Sequence, residues 1–461
     1  MLRITQVLVT VLIGFGALVG CKFTPDATRV QYLARGDAYL ADSKVSEAII
    51  EYRNAVRVDP KSGEARAKLG EAYLQNRDVR NAFGEFVRAA DLMPDNPDAQ
   101  TKAGQMLLVV GQFEDAKTRA DKALEREPNH VQAQILRGNA LAGLKDIDGA
   151  VAQIEHAIQT DPSQGINYAT LGVLLQFAKG DIPQAEEAFK KAVATDPKSI
   201  PARLALANLY WATGRNAAAE QAVVEALKIE PRSLLANRAL ALYYLGSGRA
   251  RDAETPLKVL AEDVPGTEGK MALADYYASV QKVPEARSLY IDLAEKPESA
   301  ALAKLRLAAL ALADSDRAEA HRLVDEVLGK QPKNVDALIG KAALQADEGQ
   351  ATEALVTIRA AVTTNPTNPR AHFVLGKILA AGNQPDDAMT AYREAVRLNP
   401  RFAVAELELA RLSLQAFKYN DAIQFAQGAL NTVPGYAEAH LILAQALIAN
   451  GDVQTAEKPL R

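Results

Sequence analysis

Small residues recur along the chain at a regular interval of about 34 residues. The interval from Gly172 to Ala207 is longer by one residue, and the interval from Ala241 to Ala274 is shorter by one. The members of the series are Gly36, Gly70, Gly104, Gly138, Gly172, Ala207, Ala241, Ala274, Ala308, Ala342, Gly376, Ala410 and Ala444. A period of this length is typical of stacked helix pairs, in which each pair buries its apolar face against its neighbours.

A second series, made only of alanine, follows the first at a nearly fixed offset of a dozen positions: Ala48, Ala82, Ala116, Ala150, Ala185, Ala219, Ala253, Ala286, Ala320, Ala354, Ala388, Ala422 and Ala456. Two antiparallel helices approach closely only where neither carries a bulky side chain. We therefore interpret each small residue and its alanine as the crossing of a first helix, A, with a second helix, B. Aromatic residues such as Tyr52, Phe86, Phe189 and Tyr392 lie four residues after the alanine.

Prolines close the units, because proline lacks an amide hydrogen and disfavours helix in the residue before it. They are Pro60, Pro94, Pro128, Pro162, Pro197, Pro231, Pro265, Pro297, Pro332, Pro366, Pro400 and Pro434. Together the three series resemble the tetratricopeptide repeat (TPR) consensus, which the unit from Leu69 to Pro94 matches well. The resemblance covers about residues 29–461. It implies an all-α, right-handed superhelical solenoid of about twelve to thirteen repeats.

The N-terminus resembles a bacterial lipoprotein signal. Arg3 precedes a mostly apolar run from Ile4 to Val19, and Cys21, the only cysteine, follows Leu18-Val19-Gly20. The resemblance implies a signal peptide over residues 1–20, lipidation of Cys21 and a tether over residues 21–28 before the solenoid. An ordinary cleaved signal and an uncleaved span with an incidental cysteine are the alternatives, although the apolar run is shorter than the about 20 residues that a helical span needs.

Lys22, rather than aspartate, follows the cysteine, and this resembles the outer-membrane sorting pattern. We therefore expect a lipid-anchored protein of the bacterial cell envelope, at the outer membrane and facing the periplasm. The combination with a long repeat array also resembles the repeat lipoproteins of exosortase and exopolysaccharide (PEP-CTERM) systems.

Charge and histidine spacing argue against several classes of function. The 53 basic and 57 acidic residues give a net charge of −4, and no basic block is interleaved with aromatic residues. Nucleic acid is therefore not an expected partner. The five histidines are far apart in the sequence, and no two of them lie within one helical turn, so no helical pair of metal ligands exists. We expect no metal and no cofactor.

Catalytic motifs are incomplete. Leu245-Gly246-Ser247-Gly248 is not a nucleophile elbow, and Gly266 to Lys270 lacks the Walker spacing. Asp146-Ile147-Asp148-Gly149 resembles the start of a calcium loop but lacks the later ligands, and we expect Asp148 to cap a helix instead. We therefore predict that the chain is not an enzyme.

Ligand recognition in this family takes place on the concave surface lined by helix A. The family's groove positions fall here on Leu204, Asn208, Trp211, Arg238, Leu242, Leu245, Met271 and Asp275. An aromatic anchor beside a guanidinium and an amide suits a peptide or glycan. The alternative is that Trp211 and the neighbouring leucines only tighten the solenoid. The family's carboxylate clamp does not map, because Ile135 and Leu204 stand where its lysine belongs.

These features favour a membrane-anchored scaffold for proteins or peptides of an envelope, secretion or exopolysaccharide assembly. The alternatives are the anchoring half of a longer enzyme, such as a glycosyltransferase, and direct polysaccharide binding during export. The thirteenth unit stops at Arg461 inside its second helix, without the capping helix expected of a solenoid. We therefore expect that the native product is longer or that this chain is a truncation.

Overall fold

The computed structural model describes residues 25–456, and these residues form 26 α-helices and no β-strand. The helices alternate between helix A and helix B of successive pairs, which confirms the predicted all-α repeat fold. The chain divides into two compact units, of which the first ends at Pro231 and the second begins at Arg232. The predicted signal peptide and Cys21 lie outside the described residues.

The described residues of the first unit form twelve α-helices. Its A helices are α1 (Pro25–Ala41), α3 (Gly63–Gln75), α5 (Pro97–Val109), α7 (Val131–Gly143), α9 (Gly165–Leu174) and α11 (Ile200–Ala212). Its B helices are α2 (Val45–Val58), α4 (Val79–Leu92), α6 (Phe113–Arg126), α8 (Ile147–Thr160), α10 (Ile182–Thr195) and α12 (Asn216–Ile229). Helix α1 begins within the segment predicted as a tether, because proline at the first helical position and an acid in the first turn both favour a helix start.

The second unit continues the same alternation. Its A helices are α13 (Leu234–Gly246), α15 (Glu268–Ser279), α17 (Ala300–Ala313), α19 (Val335–Asp347), α21 (Pro369–Ala381), α23 (Ala403–Gln415) and α25 (Ala437–Ala449). Its B helices are α14 (Glu254–Asp263), α16 (Val283–Ala294), α18 (Arg317–Lys330), α20 (Ala351–Thr364), α22 (Pro385–Leu398), α24 (Tyr419–Thr432) and α26 (Val453–Ala456).

Each unit has an inner and an outer layer. Neighbouring A helices contact one another, as α5 and α7 do in the first unit and α19 and α21 do in the second. Neighbouring B helices of the described residues make at most marginal contact. Because the inner layer of a curved stack has the closer spacing, the A helices line the inner side of each unit. We call the solvent-facing surface of the A helices the A face.

The glycines of the small-residue series lie beneath a large side chain of helix B. A Cβ atom added to Gly36 would lie 2.4 Å from the ring of Tyr52, and one added to Gly172 would lie 2.6 Å from the ring of Phe189. Gly376 has the same relation to Tyr392. The closest neighbour of these glycines is therefore the side chain four residues after the alanine, and not the alanine of the predicted crossing.

Where helix B lacks a large side chain at this level, the next repeat supplies one. In α6 the position is occupied by Ala120, and the space above Gly104 is filled by Leu136 of α7, whose Cδ2 atom would lie 2.3 Å from an added Cβ. Every glycine of the series is thus covered by a large side chain, either of its own helix B or of the next helix A.

A single inserted residue accounts for the one long interval of the series. Helix α9 ends in a π-helical turn, Leu175–Lys179, followed by Gly180 in the left-handed conformation. A π-turn accommodates one extra residue without breaking the helix. The one short interval ends in α15, which has 12 residues where α13 has 13.

The proline carbonyls that end the units are bonded by the next A helix. The donor lies six residues after the proline in five repeats, at distances between 2.7 and 3.1 Å: Arg66 to Pro60, Gln134 to Pro128, Arg203 to Pro197, His372 to Pro366 and His440 to Pro434. We call this contact the proline latch. It satisfies a carbonyl that has no partner inside its own helix.

The cap of α8 differs from the prediction. Asp146 is the N-cap, and its carboxylate accepts a hydrogen bond from the amide of Gly149 at 3.0 Å. Asp148 lies inside the first turn and forms an ion pair with Lys179. An N-cap carboxylate accepts from a backbone amide two or three residues later. Asp146 precedes the helix and reaches the amide of Gly149, whereas Asp148 already lies inside the helix.

We expect Gly172→Ala to lower the free energy of unfolding by about 1–3 kcal/mol, because its Cβ would overlap the Phe189 ring. Gly84→Ala in the middle of α4 is the matched control: no atom lies within 4 Å of its added Cβ, so the change should stabilise by about 0.5–1 kcal/mol. Urea unfolding followed by circular dichroism measures both. Stabilisation by both substitutions would contradict the crossing geometry.

Candidate interaction surface

Three of the predicted binding residues share one face of α11 in the first unit. Leu204, Asn208 and Trp211 are spaced by four and three residues, which places them on neighbouring turns. Asn208 is exposed, and the side chains of Leu204 and Trp211 are half-buried. The amide of Asn208 has no hydrogen-bond partner among the described residues and is available to a ligand.

The other five lie in the second unit. Arg238, Leu242 and Leu245 follow one exposed face of α13, with the same spacing as the residues on α11. Met271 on α15 is only 8 % exposed, so its side chain offers little surface to a ligand. Asp275 on the same helix is held by two other side chains. The prediction that these residues bind a ligand stays a prediction.

Asp275 belongs to a cluster of an acid, a tyrosine and a base that occurs once in each unit. The hydroxyl of Tyr290 donates to Asp275 Oδ1 at 2.6 Å, and Arg306 Nε donates to the same oxygen at 2.8 Å. In the first unit, Asp37 accepts from Tyr52 at 2.7 Å and from Lys68 Nζ at 2.8 Å. Both clusters therefore tie an A helix to its own B helix and to the next A helix.

The tyrosines of these clusters remain protonated donors. Burial, and then the hydrogen bond to the aspartate, raises the pKa of Tyr52 and of Tyr290 well above the usual value. In both clusters the tyrosine lies 15 residues after the acid and the base lies 31 residues after it. The sequence patterns considered above did not include this spacing. A search for an acid, a tyrosine and a base at those offsets would have found it.

A second type of cluster joins helix B to the following A–B turn. Glu254 accepts from Tyr277, Lys282 and Lys258, and the lysine hydrogen bonds lower the pKa of Glu254 to about 2. Glu186 accepts from Tyr210, Arg215 and Lys190 in the same way. In each cluster the cation also lies over the tyrosine ring, at 4.5 Å for Arg215 and 5.5 Å for Lys282.

Charge is distributed unevenly along the A face of the first unit. Lys68 pairs with Asp37 and Lys102 pairs with Glu71, each at 2.8 Å, so that α1, α3 and α5 carry a ladder of ion pairs. Between α3 and α5 lies a cavity of about 360 Å³ whose floor includes Phe86. At the corresponding positions, α7 has Leu136 and Asn139, α9 has Thr170 and Val173, and α11 has Ala205 and Asn208. The ladder therefore ends after α5.

Three of the histidines have structural roles. His372 and His440 form proline latches, in which Nε2 must carry the proton because a carbonyl only accepts. His130 is the N-cap of α7 and accepts the amide of Ala133 with Nδ1. In the described part of the chain, no three His, Cys, Asp or Glu side chains converge on a possible metal site. Across the same residues, none of the helices combines the length and apolar character that a membrane crossing requires.

Glu406 on α23 stands where other repeats have the donor of the proline latch. Its side chain is 9 % exposed, and its Oε2 atom has no hydrogen-bond partner among the described residues. Gly428 of α24 makes room for it, since a Cβ there would lie 2.4 Å from Oε1. Burial raises the pKa of Glu406 above its usual value.

Comparisons with known proteins agree with this repeat architecture. One family model, described as tetratricopeptide repeat, matches residues 176–241, 311–378, 345–408 and 413–460. A second model with the same description matches residues 33–98 and 101–165. No functionally curated protein is detectably similar in sequence.

Solved structures of repeat proteins are similar at a distance. Yeast Tom70 is 13 % identical over 95 % of this chain and 98 % of its own, with a TM-score of 0.38. A thermophilic TPR protein of Thermus thermophilus is 21 % identical over 40 % of this chain and 99 % of its own, with a TM-score of 0.37. PilW, a type IV pilus biogenesis factor, is 19 % identical over 46 % and 96 %, with a TM-score of 0.41. Similarities this distant carry no information about partners.

We expect Glu406→Gln to raise the free energy of unfolding by about 1 kcal/mol at neutral pH, because an amide can donate where the carboxylate cannot. A carboxyl whose pKa is raised by folding holds its proton more tightly in the folded state. The stability that it contributes is therefore lost as pH rises from 4.5 through the raised value. Glu406→Gln should remove that part of the pH dependence.

Urea unfolding between about pH 4 and pH 8 tests this sign. Glu353→Gln on α20 is the control, since Glu353 is exposed and has no ion pair among the described residues. Parallel stability profiles for the wild type and the Glu406 variant would contradict the expectation.

Proposed function

The chain belongs to the tetratricopeptide repeat family, a family of protein-interaction scaffolds, and we propose that it binds proteins or peptides of a bacterial envelope assembly through its A face. The observation that carries this proposal is that the packing positions recur from repeat to repeat, whereas the exposed A-face positions vary. Close-packed glycines of helix A, each covered by a large side chain, recur in both units, whereas the A face changes from an ion-pair ladder to an uncharged surface within one unit. A constant framework with a variable surface suits recognition of a particular partner.

The ionisable groups that could serve in catalysis are engaged in packing. Asp275, Glu254 and Glu186 are each held by at least two donors, and His130, His372 and His440 hold backbone groups. Such groups stabilise the repeats, and this supports a scaffold role.

The envelope location is proposed from the N-terminal sequence. The apolar run and the Leu-Val-Gly-Cys motif ending at Cys21 support cleavage and lipidation at that cysteine. A diacylglycerol and an added acyl chain provide more than one membrane signal, which stable anchoring requires. The scaffold would then hold its partners at the membrane surface.

A photo-crosslinking amino acid at Asn208 or Leu242, on the A face, should form covalent adducts with partner proteins in cells. The matched control is Val356, which is 68 % exposed on the B helix α20. Adducts are detected as a shift in mass on a denaturing gel and identified by mass spectrometry. Equal adducts at both faces, or adducts at Val356 alone, would count against the A face.

We expect Cys21→Ser to move the protein from the membrane fraction to the soluble fraction without changing its helicity. Fractionation and far-ultraviolet circular dichroism measure the two effects. Thr28→Ser provides a conservative control outside the proposed lipidation motif. Membrane association that persists in the Cys21 variant would favour the alternative of an uncleaved span.

A further inference from the structure

We propose that the A face of α7, α9 and α11 binds an extended protein segment that has no charged side chains where it crosses these helices and presents apolar side chains to α9. This inference rests on the proposed function and specifies the partner. We call the surface the neutral face. It is defined by Gln132, Ile135 and Asn139 of α7, by Ile166, Thr170, Val173 and Phe177 of α9 and its π-turn, and by Leu204 and Asn208 of α11.

The centre of the neutral face is an apolar stripe on α9. Ile166, Val173 and Phe177 are 62 %, 45 % and 76 % exposed, and their spacing places them on one side of the helix. Leu174 and Leu175 point into the core on the other side. The stripe is about 16 Å long, which is the rise of eleven helical residues. Exposed apolar surface arranged in this way is typical of an interaction site.

The π-turn adds Phe177 to this stripe. It contains the residue by which this unit exceeds the regular period, and the amide of Asp181 closes it by bonding to the carbonyl of Leu175 at 2.8 Å. π-turns inside helices occur frequently at functional sites. Lys179, the charged residue nearest to Phe177 in the sequence, forms an ion pair with Asp148 at 3.1 Å. The insertion therefore adds an exposed ring without adding a free charge.

Polar groups of the neutral face can recognise a peptide backbone. The side-chain amides of Gln132, Asn139 and Asn208 have no hydrogen-bond partner among the described residues. A primary amide both donates and accepts, so it can bond to the N–H and C=O groups of an extended chain. The side chains of Asn139 and Asn208 lie at the same level of α7 and α11, on either side of the stripe.

Charge selects the composition of the segment. A charged side chain of the partner would lose hydration on the neutral face and find no opposite charge there, which is costly. The charges of the ladder on α1, α3 and α5 are not available to it, because Asp37, Lys68, Glu71 and Lys102 already pair with one another. A segment without charge therefore fits α7 to α11 best.

A protein segment fits this surface better than a glycan. The apolar groups are mainly aliphatic, with Ile166 and Val173 exposed and Ile135 and Leu204 half-buried, and these pack against apolar side chains. Sugar rings stack on aromatic faces, and Phe177 alone supplies an exposed ring on the stripe. A neutral oligosaccharide is nevertheless the natural second probe, because it would use the same amides.

The test uses the full chain and a display library of random peptides of about twelve residues, which reach about 40 Å when extended. We expect the enriched peptides to contain fewer Asp, Glu, Lys and Arg residues than the library. Their affinity should change little between low and high salt. Val173→Asp and Phe177→Ser should each weaken binding at least tenfold.

Two variants serve as matched controls. Val356→Asp makes the same change on an exposed B-helix position, and Glu71→Gln removes an A-face charge in the ion-pair ladder. Neither should alter the affinity of the enriched peptides. Circular dichroism of every variant confirms that the helices are retained.

The outcomes separate this inference from the proposed function. Charged peptides that are weakened by Glu71→Gln and not by Val173→Asp would overturn the neutral face and leave the A face as a peptide-binding surface. Peptides whose binding no A-face substitution weakens would overturn both. Binding of maltoheptaose that Val173→Asp abolishes, without peptide binding, would replace the protein segment with a neutral glycan.

Discussion

The structure depends on the close packing of a glycine of helix A under a large side chain of helix B. At Gly36, Gly172 and Gly376 no room remains for a methyl group, so the distance between the two helices of a pair is fixed by contact. Once that distance is fixed, the alanines of helix B and the proline that ends it determine where the next pair begins. Repeats in such an array are stabilised mainly by themselves and by their neighbours, so this local contact determines the regularity of each unit.

Electrostatic contacts then join one repeat to the next. The clusters around Asp37 and Asp275 place an acid between the tyrosine of its own pair and the base of the next A helix. Clusters around Glu186 and Glu254 join helix B to a tyrosine and a base of the next pair. These groups are charged and partly exposed, and they would be counted as candidate ligand contacts if only their positions on the helices were known. Their partners show that they stabilise the stack, and this leaves the uncharged groups of α7, α9 and α11 as the part of the first unit's A face that is free to bind.

The repeat period was sufficient to predict the helix pairs, the close-packed glycines and the absence of strands among the described residues. It was not sufficient to identify which side chain covers each glycine, because that depends on the length of the side chain four residues beyond the alanine and, at Gly104, on a leucine of the next repeat. The candidate site could be predicted only as positions on helices. Burial of Met271 and the bonds to Asp275 follow from contacts across repeats, which one helix pattern cannot reveal. The π-turn was visible as one long interval, but its conformation and the exposure of Phe177 required the structure.

The proline latch has a consequence for how a chain of this kind can change length during evolution. Its donor lies in the repeat after its acceptor, so each of the five junctions that carry the latch has half of the contact on each side. A gene duplication or deletion of one whole period rejoins a donor to an acceptor and a glycine to its covering side chain. An event of any other length separates both pairs at once. The array can therefore grow or shrink only in whole steps, apart from single-residue slips that a helix can absorb, as it does at Leu175–Lys179.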